Sequence, residues 1–366
     1  MHTIDLHTHI LPAAWPDLRE RYACEGWVSI EHEHDASGAC CGARLLIDGE
    51  HFRSVGTNCF DHAVRLEEMD RKGVGVQVLS TVPVMFSYWA QPQHALDLSR
   101  LLNDHIASLV RVHPSRFQGL GTVPLQDPDL AIAELQRCMD DLSLRGVQIG
   151  THVQRPDGPD WNLSEPALLP FFEACQRLGA AVFVHPWDMM GMDQMSRYWL
   201  PWLVGMPAET SRAICSMIFG GVFDRLPSLR VCFAHGGGSF PGTIGRIEHG
   251  YACRPDLVAT DCRHNPRSYL AHDGQPARIF VDSLTHSPGA LRAVIDLLDE
   301  RRVALGSDYP FPLGEAEPGQ MIRSMADLPD STKRRLLSGT AREFLGLETS
   351  DSLPLGGRGP EREASP

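Results

Sequence analysis

Five residues in this chain are of types that could share one cation: His7, His9, His185, His235 and Asp308. The first two lie in Ile4-Asp5-Leu6-His7-Thr8-His9. Side chains alternate along a strand, so His7 and His9 project from one face, where two imidazoles can grip one metal ion. The other three close apolar runs: Ala181-Val182-Phe183-Val184-His185, Arg230-Val231-Cys232-Phe233-Ala234-His235 and Arg302-Val303-Ala304-Leu305-Gly306-Ser307-Asp308. An imidazole or carboxylate at the end of such a run is costly unless something pairs with it. Three histidines and a carboxylate suit Zn²⁺, and Fe²⁺, Mn²⁺ or Co²⁺ accept the same donors. His7, His9, His185 and Asp308 are assigned as ligands, with a position left open for water, and His235 as a base beside it. Taken singly, each is better explained as a structural residue, such as a satisfied core histidine; the five together, at matching strand ends, point to a site.

Such a site requires strands whose carboxyl ends meet. From residue 60 onward, apolar β-branched runs alternate with helical patterns. Asp61 to Lys72 predicts a helix stopped by Gly73, and Val74 to Thr81 a buried strand. Further strands are expected over Gln118 to Leu125, Gly146 to Thr151, Ala181 to Pro186, Arg230 to Gly236, Arg278 to Leu284 and Arg302 to Asp308. With the first strand these make eight, each followed by a helix or helix-bearing sequence. Covered, near-continuous apolar strands indicate a parallel sheet, and eight units over ~250 residues or more is the scale of a (β/α)₈ barrel, with chemistry at the carboxyl rim. A doubly wound open sheet is the alternative, but no glycine-rich dinucleotide fingerprint follows the first strand. Residues 11–55 interrupt the alternation and predict a small insertion of short antiparallel strands. Within it, Glu31 to Gly42 is expected to be a solvated loop despite Glu31-His32-Glu33-His34. Residues 1–348 thus form one barrel including the 11–55 insertion, and 349–366 a disordered tail rich in Ser, Gly, Pro and charge.

Composition narrows the partners. The net charge of −13 argues against nucleic acid and anionic membranes, and an anionic substrate would need local arginines. The ten cysteines include no C-x-x-C pair and fit reduced thiols in a cytoplasmic protein. No signal peptide and no apolar run of membrane length is present.

The strand-end ligands match the amidohydrolase superfamily. Longer motifs match more narrowly: Thr81-Val82-Pro83-Val84-Met85-Phe86-Ser87-Tyr88-Trp89, His185-Pro186-Trp187-Asp188-Met189, Tyr198-Trp199-Leu200-Pro201-Trp202 and Ala234-His235-Gly236-Gly237-Gly238. In order, and over residues 1 to about 347, they resemble the 2-amino-3-carboxymuconate-6-semialdehyde decarboxylase family. The resemblance implies non-oxidative loss of CO₂, with 2-aminomuconate-6-semialdehyde as product and no organic cofactor. It places such chemistry in tryptophan or nitroaromatic breakdown. In this reading the metal lowers the pKa of its water, and His235 shuttles the proton. The resemblance also implies that Arg53 and Arg246 hold the carboxylates of a small dicarboxylate substrate. Arg246 would act from a neighbouring subunit of a homodimer. Trp199 is a candidate contact for a planar ligand; Phe86, Trp89 and Phe311 serve equally as pocket walls or core.

The chain departs from the family where residues 31–43 look longer, and where Ile47 stands at a lysine position. Gly150-Thr151-His152 ends the fourth strand, where binuclear relatives carry a lysine, so one metal ion is expected. His152 itself is either a spare ligand or a loop histidine. A lactone or amide hydrolase and a hydroxybenzoate-type decarboxylase of the same superfamily remain the alternatives.

Overall fold

Six consecutive buried residues, Val76–Thr81, show what this architecture demands of a strand: helices cover one face and the barrel interior fills the other. In the computed structural model, which describes residues 3–347, eight such strands run parallel. They are β1 (Ile4–Ile10), β5 (Val76–Thr81), β6 (Phe117–Gly119), β7 (Gly146–Gly150), β10 (Ala181–His185), β11 (Arg230–Phe233), β12 (Phe280–Asp282) and β13 (Val303–Ala304). One sheet has the order β1-β5-β6 and the other β13-β12-β11-β10-β7. Parallel bridges join them at both edges, Gly121 to Val147 and Thr8 to Tyr309. Backbone hydrogen bonds reinforce these joints, with Leu6 N donating to Leu305 O (2.8 Å) and Gly121 N to Gly146 O (2.9 Å). The barrel is therefore continuous.

Helices follow the strands. The short α1 (Leu18–Tyr22) belongs to the insertion; α2 (His62–Lys72) begins at Asp61, whose side chain accepts from Ala63 N, and ends at Gly73 in the left-handed region. Next come α3 (Pro92–Val112), α4 (Pro128–Asp140), α5 (Leu169–Leu178), α6 (Met206–Phe219), α7 (Val222–Arg225), α8 (Phe240–Cys253), α9 (Pro255–Val258) and α10 (Pro288–Leu298). The apolar faces of α4 to α8 and α10 form one large core with β7, β10 and β11, through Val147, Val182, Val231, Phe171 and Leu291, while α3 packs in smaller clusters through Leu98, Leu102 and Ile106. No helix among the described residues is long and apolar enough to cross a membrane.

The insertion contains β2 (Val28–His34), β3 (Cys40–Ile47) and β4 (Glu50–Val55), paired antiparallel. Glu31 to His34, expected in a loop, instead continue β2, because the hairpin turns later. There Asp35 Oδ1 accepts from Ser37 N (2.8 Å), Ser37 Oγ (2.6 Å) and Ala39 N (3.2 Å). The strand expected over Gln118 to Leu125 is instead Phe117–Gly119; farther on, the Thr122 backbone bonds to the Asn103 side chain rather than to a neighbouring strand, with Thr122 N donating to Asn103 Oδ1 (2.7 Å) and Asn103 Nδ2 donating to Thr122 O (2.9 Å). Two short strands, β8 (His152–Val153) and β9 (Trp161–Asn162), extend the fourth unit beyond the rim. The expected tail at 349–366 lies outside the described residues.

Candidate metal centre and active site

β1 puts His7 and His9 on one face, both fully buried. The carboxyl end of β10 adds His185, a turn after β11 adds His235, and the segment after β13 adds Asp308. The barrel brings the five together. His7 Nε2 lies 3.1 Å from His9 Nε2 and 3.4 Å from Asp308 Oδ1, and His9 Nε2 lies 3.0 Å from Asp308 Oδ1. His7, His185, His235 and Asp308 offer ligand atoms all within 4.8 Å of one another. That quartet differs from the expected set by containing His235 in place of His9. Proximity alone thus does not separate ligand from base.

Hydrogen bonding sets His235 apart from the other three histidines. His7 Nδ1 meets Asp282 Oδ2 at 2.7 Å, His9 Nδ1 meets the Thr81 carbonyl at 2.9 Å, and His185 Nδ1 meets the Pro186 carbonyl at 2.6 Å. These partners accept hydrogen bonds, so each Nδ1 carries the proton and each Nε2 turns a lone pair inward. Two lone pairs then face each other across the 3.1 Å between His7 and His9, an arrangement that a shared cation relieves. His185 Nε2 and Asp308 Oδ1 are buried without a hydrogen-bond partner, the condition expected of unfilled ligand atoms. The donor set therefore fits one divalent ion. His235 is different: its ring is partly exposed to the cavity, and its Nε2 lies 3.8 Å from Asp308 Oδ2.

Charge states agree with this division. Burial drives His185 well below the ordinary histidine range, with His7, His9 and His235 adding to the effect. Burial also lowers His9. Burial opposes ionisation of Asp308, but His235, His7 and His9 outweigh it and hold the carboxyl well below the usual range. Neutral imidazoles and an ionised carboxylate are the forms that ligate metals. His235 moves the other way: burial opposes its charge, yet Asp308 and Asp282 raise it above the ordinary range.

Asp282, at the end of β12, was not among the residues singled out from sequence. Besides orienting His7, it accepts from His235 N (2.9 Å), Gly236 N (2.8 Å) and Leu284 N (3.1 Å). One carboxylate thereby fixes both the His7 ring and the backbone of His235. The signal was present, since Asp282 follows the apolar pair Phe280-Val281 at a strand end, as the other site residues do. Arg65, fully buried on α2, is a second omission. It donates to the His9 carbonyl and to Asn58 O (3.1 Å), and lies 4.7 Å over the Tyr309 ring, so it steadies β1 and the segment after Asp308.

A cavity of about 760 Å³ opens above the cluster, with His185, His235 and Asp308 at its floor. Arg53, Trp199 and Phe311 line it; Phe86 and Trp89 do not. Phe86 is a core residue, and Trp89 packs on Trp27. The Arg53 guanidinium faces aromatic rings, 4.7 Å from Phe311, 5.7 Å from Phe52 and 5.9 Å from Trp202. It makes no ion pair among the described residues, and burial lowers its pKa. Arg246 is exposed on α8 and lines no part of this chain's cavity. Ile47 pairs with Val28 and Glu50 and is likewise absent from the cavity wall.

A family model described as "Amidohydrolase" matches residues 4–347. This chain belongs to the amidohydrolase family. A relative from Dictyostelium discoideum, named 2-amino-3-carboxymuconate-6-semialdehyde decarboxylase, is 55% identical over 96% of this chain and 93% of its own length. A protein of the same name from Caenorhabditis elegans is 36% identical over 94% of each. Among solved structures, 5-carboxyvanillate decarboxylase from Sphingomonas paucimobilis superposes with a TM-score of 0.69 at 28% identity, covering 80% of this chain and 85% of that one. This amidohydrolase thus groups with decarboxylases by sequence and by fold.

Proposed function

We propose that this amidohydrolase is a divalent-metal-dependent carboxy-lyase that converts 2-amino-3-carboxymuconate-6-semialdehyde to 2-aminomuconate-6-semialdehyde and CO₂. The observation that carries the reading is the inward set of imidazole lone pairs and the Asp308 carboxylate beneath a cavity lined by an arginine that makes no ion pair among the described residues. His7, His9, His185 and Asp308 hold the ion, most simply Zn²⁺. When bound, such an ion supplies Lewis acidity that makes solvent nucleophilic near neutral pH.

The chain's own residues do the rest. His235 takes a proton from solvent at the cavity floor; the hydroxide so formed adds to the amino-bearing carbon, and His235 returns the proton to the neighbouring carbon that bears the departing carboxylate. The C–C bond then breaks, its electron pair re-forms the double bond and expels the hydroxide, CO₂ leaves, and the proton stands in its place. Arg53 binds a carboxylate with its planar fork and orients the chain of conjugated bonds. Its aromatic surroundings supply flat faces for a planar substrate, with Trp199 at the mouth. Arg246 supplies a second guanidinium from a neighbouring copy in a homodimer, which accounts for its exposure on α8.

The decisive assay is anaerobic turnover of freshly made substrate with CO₂ and product both measured. Equimolar CO₂ and aminomuconate semialdehyde are expected; a new carboxylic acid without CO₂ would instead mark a hydrolase. Mixing Arg246→Ala with His235→Ala protein should restore part of the activity that each lacks, and no recovery would refute sharing between copies.

A further inference from the structure

His152, just past the end of β7, lies outside the cluster of His7, His9, His185, His235 and Asp308. It is 4% exposed, and its Nδ1 lies 2.8 Å from Oε1 of Glu209, which is 1% exposed. The approach is off the line of a good hydrogen bond, so the contact is mainly one of charge. Glu209 also accepts from Thr151 Oγ1 at 2.8 Å and pairs with Arg212 one turn along α6. On its other side, His152 Nε2 lies 3.7 Å from Asp188 Oδ2.

The imidazole face is also occupied. The Trp187 ring stacks on it at 5.1 Å between centroids and 18° between planes. Trp187 Nε1 donates to the His152 carbonyl at 3.2 Å, and Tyr88 meets the indole edge-on at 5.8 Å. A side chain at Gly150 would strike the indole, since its Cβ would sit 2.5 Å from Trp187 Cδ1. Trp187 lines the cavity and stands two residues after His185. The network therefore joins the end of β7, the start of α6 and the loop after β10 behind one wall of the substrate cavity.

We propose that His152 and Glu209 are positioning residues for substrate: their ion pair sets the Trp187 face against which the planar substrate rests. The inference rests on the decarboxylase reading for the identity of the substrate, but the wall itself does not. The charged groups facing His152 are Asp188 from the loop after β10, and Glu209 and Arg212 from α6. Burial opposes its charge, yet Asp188 and Glu209 outweigh it and raise its pKa. The pair is thus intact through the ordinary histidine range and is lost as pH rises past the raised value. Substrate affinity should fall on that alkaline limb while the chemical step is spared.

The test measures kcat and KM against pH for wild type, His152→Gln, Glu209→Gln and Asp188→Asn, with metal content and melting temperature recorded for each. Wild-type KM should rise on the alkaline limb. His152→Gln should carry a KM raised about tenfold at neutral pH and no limb, with kcat within about threefold, the pattern of lost uniform binding. Glu209→Gln should move the limb to lower pH. A KM profile for His152→Gln that follows wild type would overturn the proposal, as would a kcat loss at unchanged KM. Should buried variants fail to fold, a flat wild-type KM profile, or an unshifted one in Asp188→Asn, is equally fatal. Calorimetric binding of the unreactive dicarboxylate cis,cis-muconate should show the same limb without turnover. If that limb appears but no CO₂ is released, the decarboxylase reading fails and the wall survives; CO₂ release with no limb gives the reverse.

Discussion

Glu31-His32-Glu33-His34 on the β2–β3 hairpin and the histidines at the barrel rim have similar compositions and opposite physical situations. On the hairpin, the side chains of Glu31, Glu33 and His34 are exposed, and Arg44 pairs with Glu31 at 2.7 Å. His32 Nε2 is satisfied by the Ala13 carbonyl at 2.7 Å. Water and local partners meet every need there. At the rim, burial removes water, Asp282 and two carbonyls consume the Nδ1 protons, and the remaining lone pairs point at one another. Density of ligand-type residues does not make a metal centre. Convergence of buried, unpartnered donor atoms is what suits a site to hold an ion.

Substitutions in the two regions should separate by orders of magnitude. His7→Ala or Asp308→Ala should abolish both bound metal and CO₂ release, read by elemental analysis and by assay on the same samples. Retained stoichiometric metal in either would break the comparison. His235→Ala should keep its metal and lose roughly 10²-fold or more in turnover, the scale of a missing general base. Asp282→Asn should fold and weaken metal binding by about 10- to 100-fold, as loss of a carboxylate behind a ligating imidazole does. A chelator competition titration measures it, and unchanged affinity would reduce Asp282 to a structural role. Replacing His32 and His34 together by Ala should alter neither metal content nor kcat, and should shift stability by within ~0.5 kcal/mol. Any fall in metal content there would show that the hairpin also binds.

Much of the rim was legible from sequence because its residues obey a simple rule: a polar group ending an apolar run needs a partner. The rule found His185, His235 and Asp308 from three separate strands, and alternation found His7 with His9. It also applied to Asp282, which was missed because a lone aspartate in Phe280-Val281-Asp282-Ser283 resembles an ordinary strand terminus. Nothing local reveals that the Asp282 carboxylate reaches His7, 275 residues away. Arg65 was equally silent, since a helical arginine is usually solvated, and its burial follows only from how α2 packs on β1 and Tyr309. The hairpin misled for the opposite reason. Charge and glycine around Glu31 to Gly42 favoured a loop, but antiparallel pairing carries β2 as far as His34 before Asp35 turns the chain. His152 could be placed at a strand end from sequence, but whether it faced the metal or Glu209 depended on the position of α6.

The most direct measurement is titration of chelator-stripped protein with a divalent ion while CO₂ release is followed under anaerobic conditions. A single cation shared by the rim residues predicts no activity at the start and a linear rise to a plateau at one ion per chain. Full activity in the stripped protein, or a plateau that requires two ions per chain, would contradict it.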